Sequence, residues 1–309
     1  MFKNLIDQER VKKLLKKIIE TEKIPHAFLF YGKEGVGKLK FAIEFSKIIN
    51  GSNESLLKDI TIIEGEKSIG IDKIRELKRT SYLSPQGKFR INIIDNAHLL
   101  TIEAANSLLK ILEEPPERTI FILITPFPEK LPDTVISRCL PVHFSPIPTK
   151  LIEEKVREQV ENQEEVKLIS RISNGSLKKA YNIMDEDRLT YRKEIISHFI
   201  SFLKGNRTYI EFVKYMEKLE NLEEAIIIFE EVVSDMVSIK KVKEESLIKN
   251  LDFLQDIFDL SISLSMDALI RLGEKLFEIE KDLKYNLNQS FLIRKLGIEI
   301  LRLSGGINA

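Results

Sequence analysis

The sequence predicts an α/β domain built on a parallel sheet, then a small helical lid, then an all-helical C-terminal domain. Three observations carry this. Short apolar runs without period-two alternation recur before residue 150, as expected of strands covered on both faces. Helix-length stretches separate those runs, and most of the Gly and Pro punctuation lies among them. Beyond Thr149 the strand-like runs give way to long amphipathic patterns.

In chain order the strands are Ala27–Phe30 (AFLF), Ile60–Ile63 (ITII), Ile91–Ile94 (INII), Ile120–Ile124 (IFILI) and a short last one at Pro141–Phe144. Helices are expected at Lys38–Ile49, Ile71–Ser81 and Ile102–Leu112. Pro146 and Pro148 mark a boundary. Helices follow over Leu151–Gln163 and Glu165–Ile172, a break falls at Asn174-Gly175, and another helix covers Leu177–Met184. From Arg188 to Leu303 the pattern is helical. Ala225–Val237 fits a buried helix or a strand, and the length of its pattern favours helix. Asn286–Leu303 places Leu292, Leu296, Ile300 and Leu303 at helical spacing. The expected domains are 1–147, 148–187 and 188–309.

At 309 residues, with 43% hydrophobic and 31% charged side chains, the chain can build more than one packed core, and wholesale disorder is excluded. Lys plus Arg and Asp plus Glu number 48 each, so a strongly basic chain of the histone or polybasic-arm kind is excluded, while local basic patches are not. Lys12, Lys13, Lys16 and Lys17 fall on one or two helix faces, where solvation is the expected role. The single cysteine, Cys139, rules out an internal disulfide and a CxxC zinc site. No N-terminal signal pattern and no apolar run of about 20 residues occurs, so a cytoplasmic protein without a membrane segment is expected.

Gly32-Lys33-Glu34-Gly35-Val36-Gly37-Lys38 follows the first strand and opens a helix. GxxxxGK in that setting cradles phosphates: Gly32, Gly35 and Gly37 allow backbone N–H groups to converge, and Lys38 supplies charge. The next position usually offers a hydroxyl to magnesium; here it is Leu39. Asp95 ends the third strand, where a carboxylate orders a metal ion in nucleotide hydrolases, but the residue after it is Asn96 and not an acid. Thr125 ends the fourth strand, in position to sense a γ-phosphate.

Several motifs occur in fixed order with this loop. They are His26-Ala27-Phe28-Leu29-Phe30, the run from Ile69 to Leu77, Ser84-Pro85-Gln86-Gly87-Lys88, Ile94-Asp95-Asn96-Ala97-His98, Ala104 to Lys110, Leu112-Glu113-Glu114-Pro115-Pro116 and Ser137-Arg138-Cys139. Together they resemble subunits of the bacterial sliding-clamp loader, an AAA+ assembly of P-loop type. The delta-prime type fits best and the gamma/tau type is its near relative. The likeness is dense over residues 1–146, thins through Gly175-Ser176-Leu177-Lys178, and beyond residue 190 only length and helical texture agree.

The resemblance implies that Arg138 is an arginine finger, acting in trans on a neighbour's ATP. It implies that Lys178 stands where related motors carry a sensor arginine, with a weaker grip because an ammonium lacks the planar fork. Leu39, Asn96 and Lys178 together imply a stator that hydrolyses little or nothing. ATP or ADP bound without hydrolysis is the implied cofactor state, in a degenerate site of Gly32, Gly35, Gly37, Lys38, Asp95, Thr125 and Lys178, with no metal. Many relatives carry a four-cysteine zinc insert, but Asn50–Leu57 is short and cysteine-free, so no zinc is implied. Implied partners are gamma/tau-like and delta-like subunits in a hetero-oligomer, with sliding clamp and primer-template DNA met through the complex. Two other readings stay open: a self-sufficient AAA+ ATPase of the gamma/tau or repair-associated kind, and a helical interaction module bearing a relic nucleotide fold.

Overall fold

Five parallel strands, β1 (Ala27–Gly32), β2 (Ile60–Glu64), β3 (Arg90–Asp95), β4 (Thr119–Thr125) and β5 (Leu140–Phe144), form one sheet in the order β2-β3-β4-β1-β5. The computed structural model describes residues 1–2, 5–51, 58–65, 67–242, 247–285 and 287–303. Ser52–Leu57, most of the cysteine-free segment Asn50–Leu57, and Asn286 lie outside the described residues. The described chain divides into two units, one of residues 1–154 with 174–179 and the other of 155–173 with 180–309.

In the first unit the crossovers are α2 (Lys38–Asn50), α3 (Ile71–Ser81), α4 (Ile102–Glu113) and the short α5 (Asp133–Ile136), preceded by α1 (Glu9–Glu20). Side chains of a strand alternate between faces, and β1 shows both. Ala27 and Leu29 join Phe121 and Leu123 of β4 in a core closed by Ile74 and Leu77 of α3, Leu108 and Leu112 of α4 and Val135 of α5. Phe28 and Phe30 point the other way, meeting Phe45 of α2 and Phe144 of β5 with ring centroids 5.4 and 5.2 Å apart. Both faces of the inner strands β1, β3 and β4 are therefore covered, which is why those runs are mostly apolar. The edge strands are part-exposed: β2, expected to be covered on both faces, leaves Ile62 exposed, and β5 alternates. The register sets Tyr31 opposite Thr125 and Glu64 opposite Asp95, so the ends of β1, β3 and β4 lie along one carboxyl edge.

The expected helix over Leu151–Gln163 is shorter. The chain forms α6 (Thr149–Val156), turns, and starts α7 (Gln163–Ile172) at Asn162, whose side chain accepts from Glu164 N and Glu165 N. An Asn that satisfies two free N–H groups begins a new helix more readily than it ends an old one. Asn174 and Gly175 both have positive φ, 50° and 81°, and make the expected break before α8 (Leu177–Ile183).

The second unit continues with α9 (Glu186–Leu203), α10 (Tyr209–Met216), α11 (Leu222–Val242), α12 (Leu254–Ser263), α13 (Met266–Lys284) and α14 (Gln289–Leu303). The ambiguous 225–237 stretch is helix, inside α11, because its apolar residues serve α9, α12 and α13 at once. Phe199 of α9 stacks on Phe229 of α11, and Phe202 on Phe212 of α10, at centroid distances of 4.0 and 4.2 Å. Leu292, Leu296 and Ile300 of α14 are buried in the same core, and Leu303 packs against it. Thr208 and Glu211 form a reciprocal capping box that starts α10. Among the described residues no helix is long and apolar enough to cross a membrane.

Candidate nucleotide site and the SRC arginine

The loop between β1 and α2 needs its glycines for space as well as for backbone angle. A Cβ on Gly32 would lie 2.1 Å from the carbonyl oxygen of Phe144, and one on Gly35 would lie 2.1 Å from Ser176 Oγ. Gly32, Gly35 and Gly37 all have positive φ, at 133°, 76° and 95°. Lys38 opens α2 and is 6% exposed, and its Nζ donates to Gly32 O at 2.6 Å and Lys33 O at 2.7 Å. Burial pushes the Lys38 ammonium down to about 8, against the opposing pull of Asp95 and Glu34.

Asp95, at the end of β3, accepts from Asn96 N at 2.9 Å. Burial holds its carboxyl above the usual range, and Glu64 adds to this, while Lys38 and Lys178 oppose it. Asn96 takes a left-handed conformation, φ 53°, and starts a single turn of 3-10 helix over Ala97–Leu99. That turn presents His98, whose Nδ1 lies 3.2 Å from Thr125 Oγ1. The Thr125 hydroxyl also accepts from Phe127 N at 2.9 Å. Burial and the nearby Lys130 ammonium lower the His98 pKa.

From the other side of the loop, Leu177 N donates to Gly35 O at 3.1 Å, and Lys178 Nζ meets Glu34 Oε1 at 2.7 Å. That hydrogen bond raises the Lys178 pKa. Lys33 Nζ donates to Asn174 O at 2.5 Å.

The structure thus brings Gly32, Gly35, Gly37, Lys38, Asp95, Thr125 and Lys178 to one edge. It adds Glu34 and His98, which the motif reading passed over. Glu34 sits within the loop and His98 ends the run Ile94-Asp95-Asn96-Ala97-His98. What assigns them is a tertiary approach. The positive-φ glycines and Lys38 fit the phosphates of a nucleotide. The donor set for magnesium does not fit, because Leu39 brings no oxygen. Among the described residues no cluster of three or more His, Cys, Asp or Glu side chains is arranged to hold a metal ion.

Arg138 stands apart from this group. It lies between α5 and β5, where Arg138 N donates to Val135 O at 3.2 Å and Cys139 N to Ile136 O at 3.0 Å. Cys139 is buried beside Leu131 and Val135, and burial pushes its thiol up to about 12. The guanidinium partners are Thr134 O, Ser137 Oγ and the Glu113 carboxylate.

A family model described as DNA polymerase III, delta subunit, matches residues 7–148. The delta′ subunit of DNA polymerase III from Bacillus subtilis (strain 168) is 27% identical over 312 residues, an alignment covering 94% of each chain. The chain is thus similar to delta-type subunits of DNA polymerase III. The tau subunit of the same bacterium is 32% identical over 209 residues, which are 60% of this chain and 37% of tau. The chain therefore spans little more than a third of that relative's length. A solved gamma subunit-related protein from Thermotoga maritima is 20% identical, with a TM-score of 0.46, over 94% of this chain and 99% of its own. The delta′ alignment covers nearly all of both chains, and the tau alignment does not.

Proposed function

We propose that this chain is the delta-prime-like stator of a sliding-clamp loader, lending Arg138 to an ATPase subunit beside it while turning over little or no ATP itself. The observation that carries the proposal is a phosphate loop built without hydrolytic chemistry. Gly32, Gly35, Gly37 and Lys38 are in place, but Leu39 and Asn96 stand where a metal hydroxyl and a water-polarising carboxylate are needed. ATP or ADP bound at the loop is a structural ligand on this reading, touched by Asp95, Thr125 and Lys178. Residues 1–147 form the nucleotide-binding-like domain, 148–187 the helical lid, and 188–309 the collar through which the chain oligomerises. Its partners are gamma/tau-like and delta-like subunits, and it meets the clamp and primer-template DNA through them.

A guanidinium facing a developing γ-phosphate charge in trans is worth roughly 10³–10⁵ in rate. The test is DNA-dependent ATP turnover by the complex reconstituted from purified subunits, with wild-type chain or Arg138→Ala at matched assembly. Loss of the neighbour's turnover with an unchanged melting temperature is expected. Unchanged turnover would defeat the finger. ATP hydrolysis near one per second by the isolated chain, abolished by Lys38→Ala, would defeat the stator.

A further inference from the structure

We infer that Glu113 is a positioning residue for Arg138, holding its guanidinium in one orientation before a neighbour's phosphate arrives. The inference rests on the finger reading above and deepens it.

Glu113 is the last residue of α4. Glu114 leaves the helix at φ −125°, ψ 72°. Pro115 and Pro116, which have no N–H and disfavour helical geometry before them, prevent any continuation. A carboxylate at a helix C-terminus faces the negative end of the helix dipole and is out of place there unless a cation lies beside it. The Arg138 guanidinium is that cation: Nη2 bonds Glu113 Oε1, and Nη1 donates to Thr134 O at 2.7 Å. Ser137 Oγ lies 3.5 Å from the same Nη1. The backbone under the arginine is fixed as well, since Cys139 is buried in the core next to it.

These partners engage Nη1 and Nη2, and among the described residues none engages Nε–H. A guanidinium has five N–H donors in one rigid plane. Gripping one edge of that plane leaves donors on the other, so the grip orients the fork without consuming it. The pair is part-exposed, 33% for Arg138 and 48% for Glu113. Glu113 therefore adds little to stability, and its effect lies in the rotamer freedom that Arg138 has already lost when it meets a phosphate.

The experiment uses the reconstituted complex and measures kcat and KM for ATP of the neighbouring subunit. Glu113→Gln keeps the shape and removes the charge. It is expected to lower kcat about fivefold, the size of a part-exposed ion pair, with KM, assembly and melting temperature unchanged. On an Arg138→Ala background it is expected to do nothing further, and Glu113→Asp should recover part of the loss. If Arg138→Ala depresses turnover but Glu113→Gln leaves it unchanged, raises it, or adds to the loss in the double variant, the positioning role is overturned and the finger stands. If Arg138→Ala itself is silent, the finger reading fails and the positioning role falls with it.

Discussion

Lys178 and Glu34 form an ion pair 2.7 Å long across the phosphate loop, although 144 residues separate them in sequence. The segment that carries Lys178 is also tied to the loop through its backbone, since Gly35 O accepts from Leu177 N and Asn174 O accepts from Lys33 Nζ. The cation that a γ-phosphate would attract thus has a carboxylate partner from the loop itself. Both side chains are largely exposed, so the pair is weak and salt-sensitive.

Glu34→Gln should therefore tighten nucleotide binding. It removes a negative charge from the rim of an anion site and releases Lys178. The gain should be about two- to fivefold in Kd for a non-hydrolysable ATP analogue at low salt, as for a single exposed charge pair, and should vanish at about 1 M salt, where the Debye length is near 3 Å. Calorimetric titration with that analogue measures it. An unchanged or weaker Kd for the variant would count against competition between Glu34 and phosphate.

Nucleotide binding should weaken as pH rises through 8. Lys38 in the folded chain has its pKa pushed by burial down to about 8, well below the ordinary lysine value. Between those values the folded chain has lost a proton that the unfolded chain keeps. Stability from this group alone therefore rises with pH across that window. Phosphates reverse the burial effect by favouring the ammonium, so above pH 8 binding takes up a proton and affinity falls, approaching tenfold per pH unit. Titrations in buffers of different ionisation enthalpy report that uptake directly. Equal proton uptake by Lys38→Met would assign the slope to another group.

The inner strands were legible because strands covered on both faces are largely apolar, as AFLF, INII and IFILI are. The phosphate loop was legible because its glycines answer to local backbone angles and to close approach. Asn162 was the local signal that should have divided Leu151–Gln163 from the helix after it. Glu34, His98 and Glu113 were not legible as site residues. Each acquires its role from a partner 27 or more residues away, or, for Glu113, 25 residues away, and spacing within one element cannot reveal such meetings. The helical unit was legible only as texture, because Phe199, Phe212 and Phe229 obey the same periodicity whichever helix they face.

Two helix-interior glycines of the second unit should respond oppositely to alanine. In α13 a Cβ on Gly273 would meet only Val233 Cγ1, at 3.8 Å, an ordinary contact. Gly273→Ala should stabilise by about 0.5–1 kcal/mol, the difference in helix propensity. In α14 a Cβ on Gly297 would lie 2.9 Å from Tyr209 Cε2 and 3.1 Å from Cδ2. Gly297→Ala should destabilise by about 1–2 kcal/mol, because overpacking exceeds the propensity gain. Urea midpoints of the two variants decide it, and stabilisation by both would show that α10 and α14 are packed less closely than this.

Asp235 should be the most costly single polar residue to alter in the helical unit. It lies on α11, 1% exposed, and its carboxylate accepts from Lys249 N at 3.1 Å, Asn250 N at 2.8 Å and Asn250 Nδ2 at 2.7 Å. Asn250, fully buried, accepts in turn from Arg192 of α9, and Arg192 pairs with Asp252 at 3.0 Å. One carboxylate thus fixes the chain entering α12 and links it to α9 and α11. Asp235→Asn matches the shape but turns an NH2 group toward N–H donors, leaving buried donors unpaired. The cost should be about 3–5 kcal/mol, as when one partner is removed from a buried charged network. Asn250→Ala should cost less, about 1–3 kcal/mol, since Asp235 keeps its two backbone donors. The double variant should cost less than the two single costs added, because both remove the same contact. Chemical denaturation of all three measures this. Additive losses would show that Asp235 and Asn250 stabilise the unit independently and that the network is not a unit.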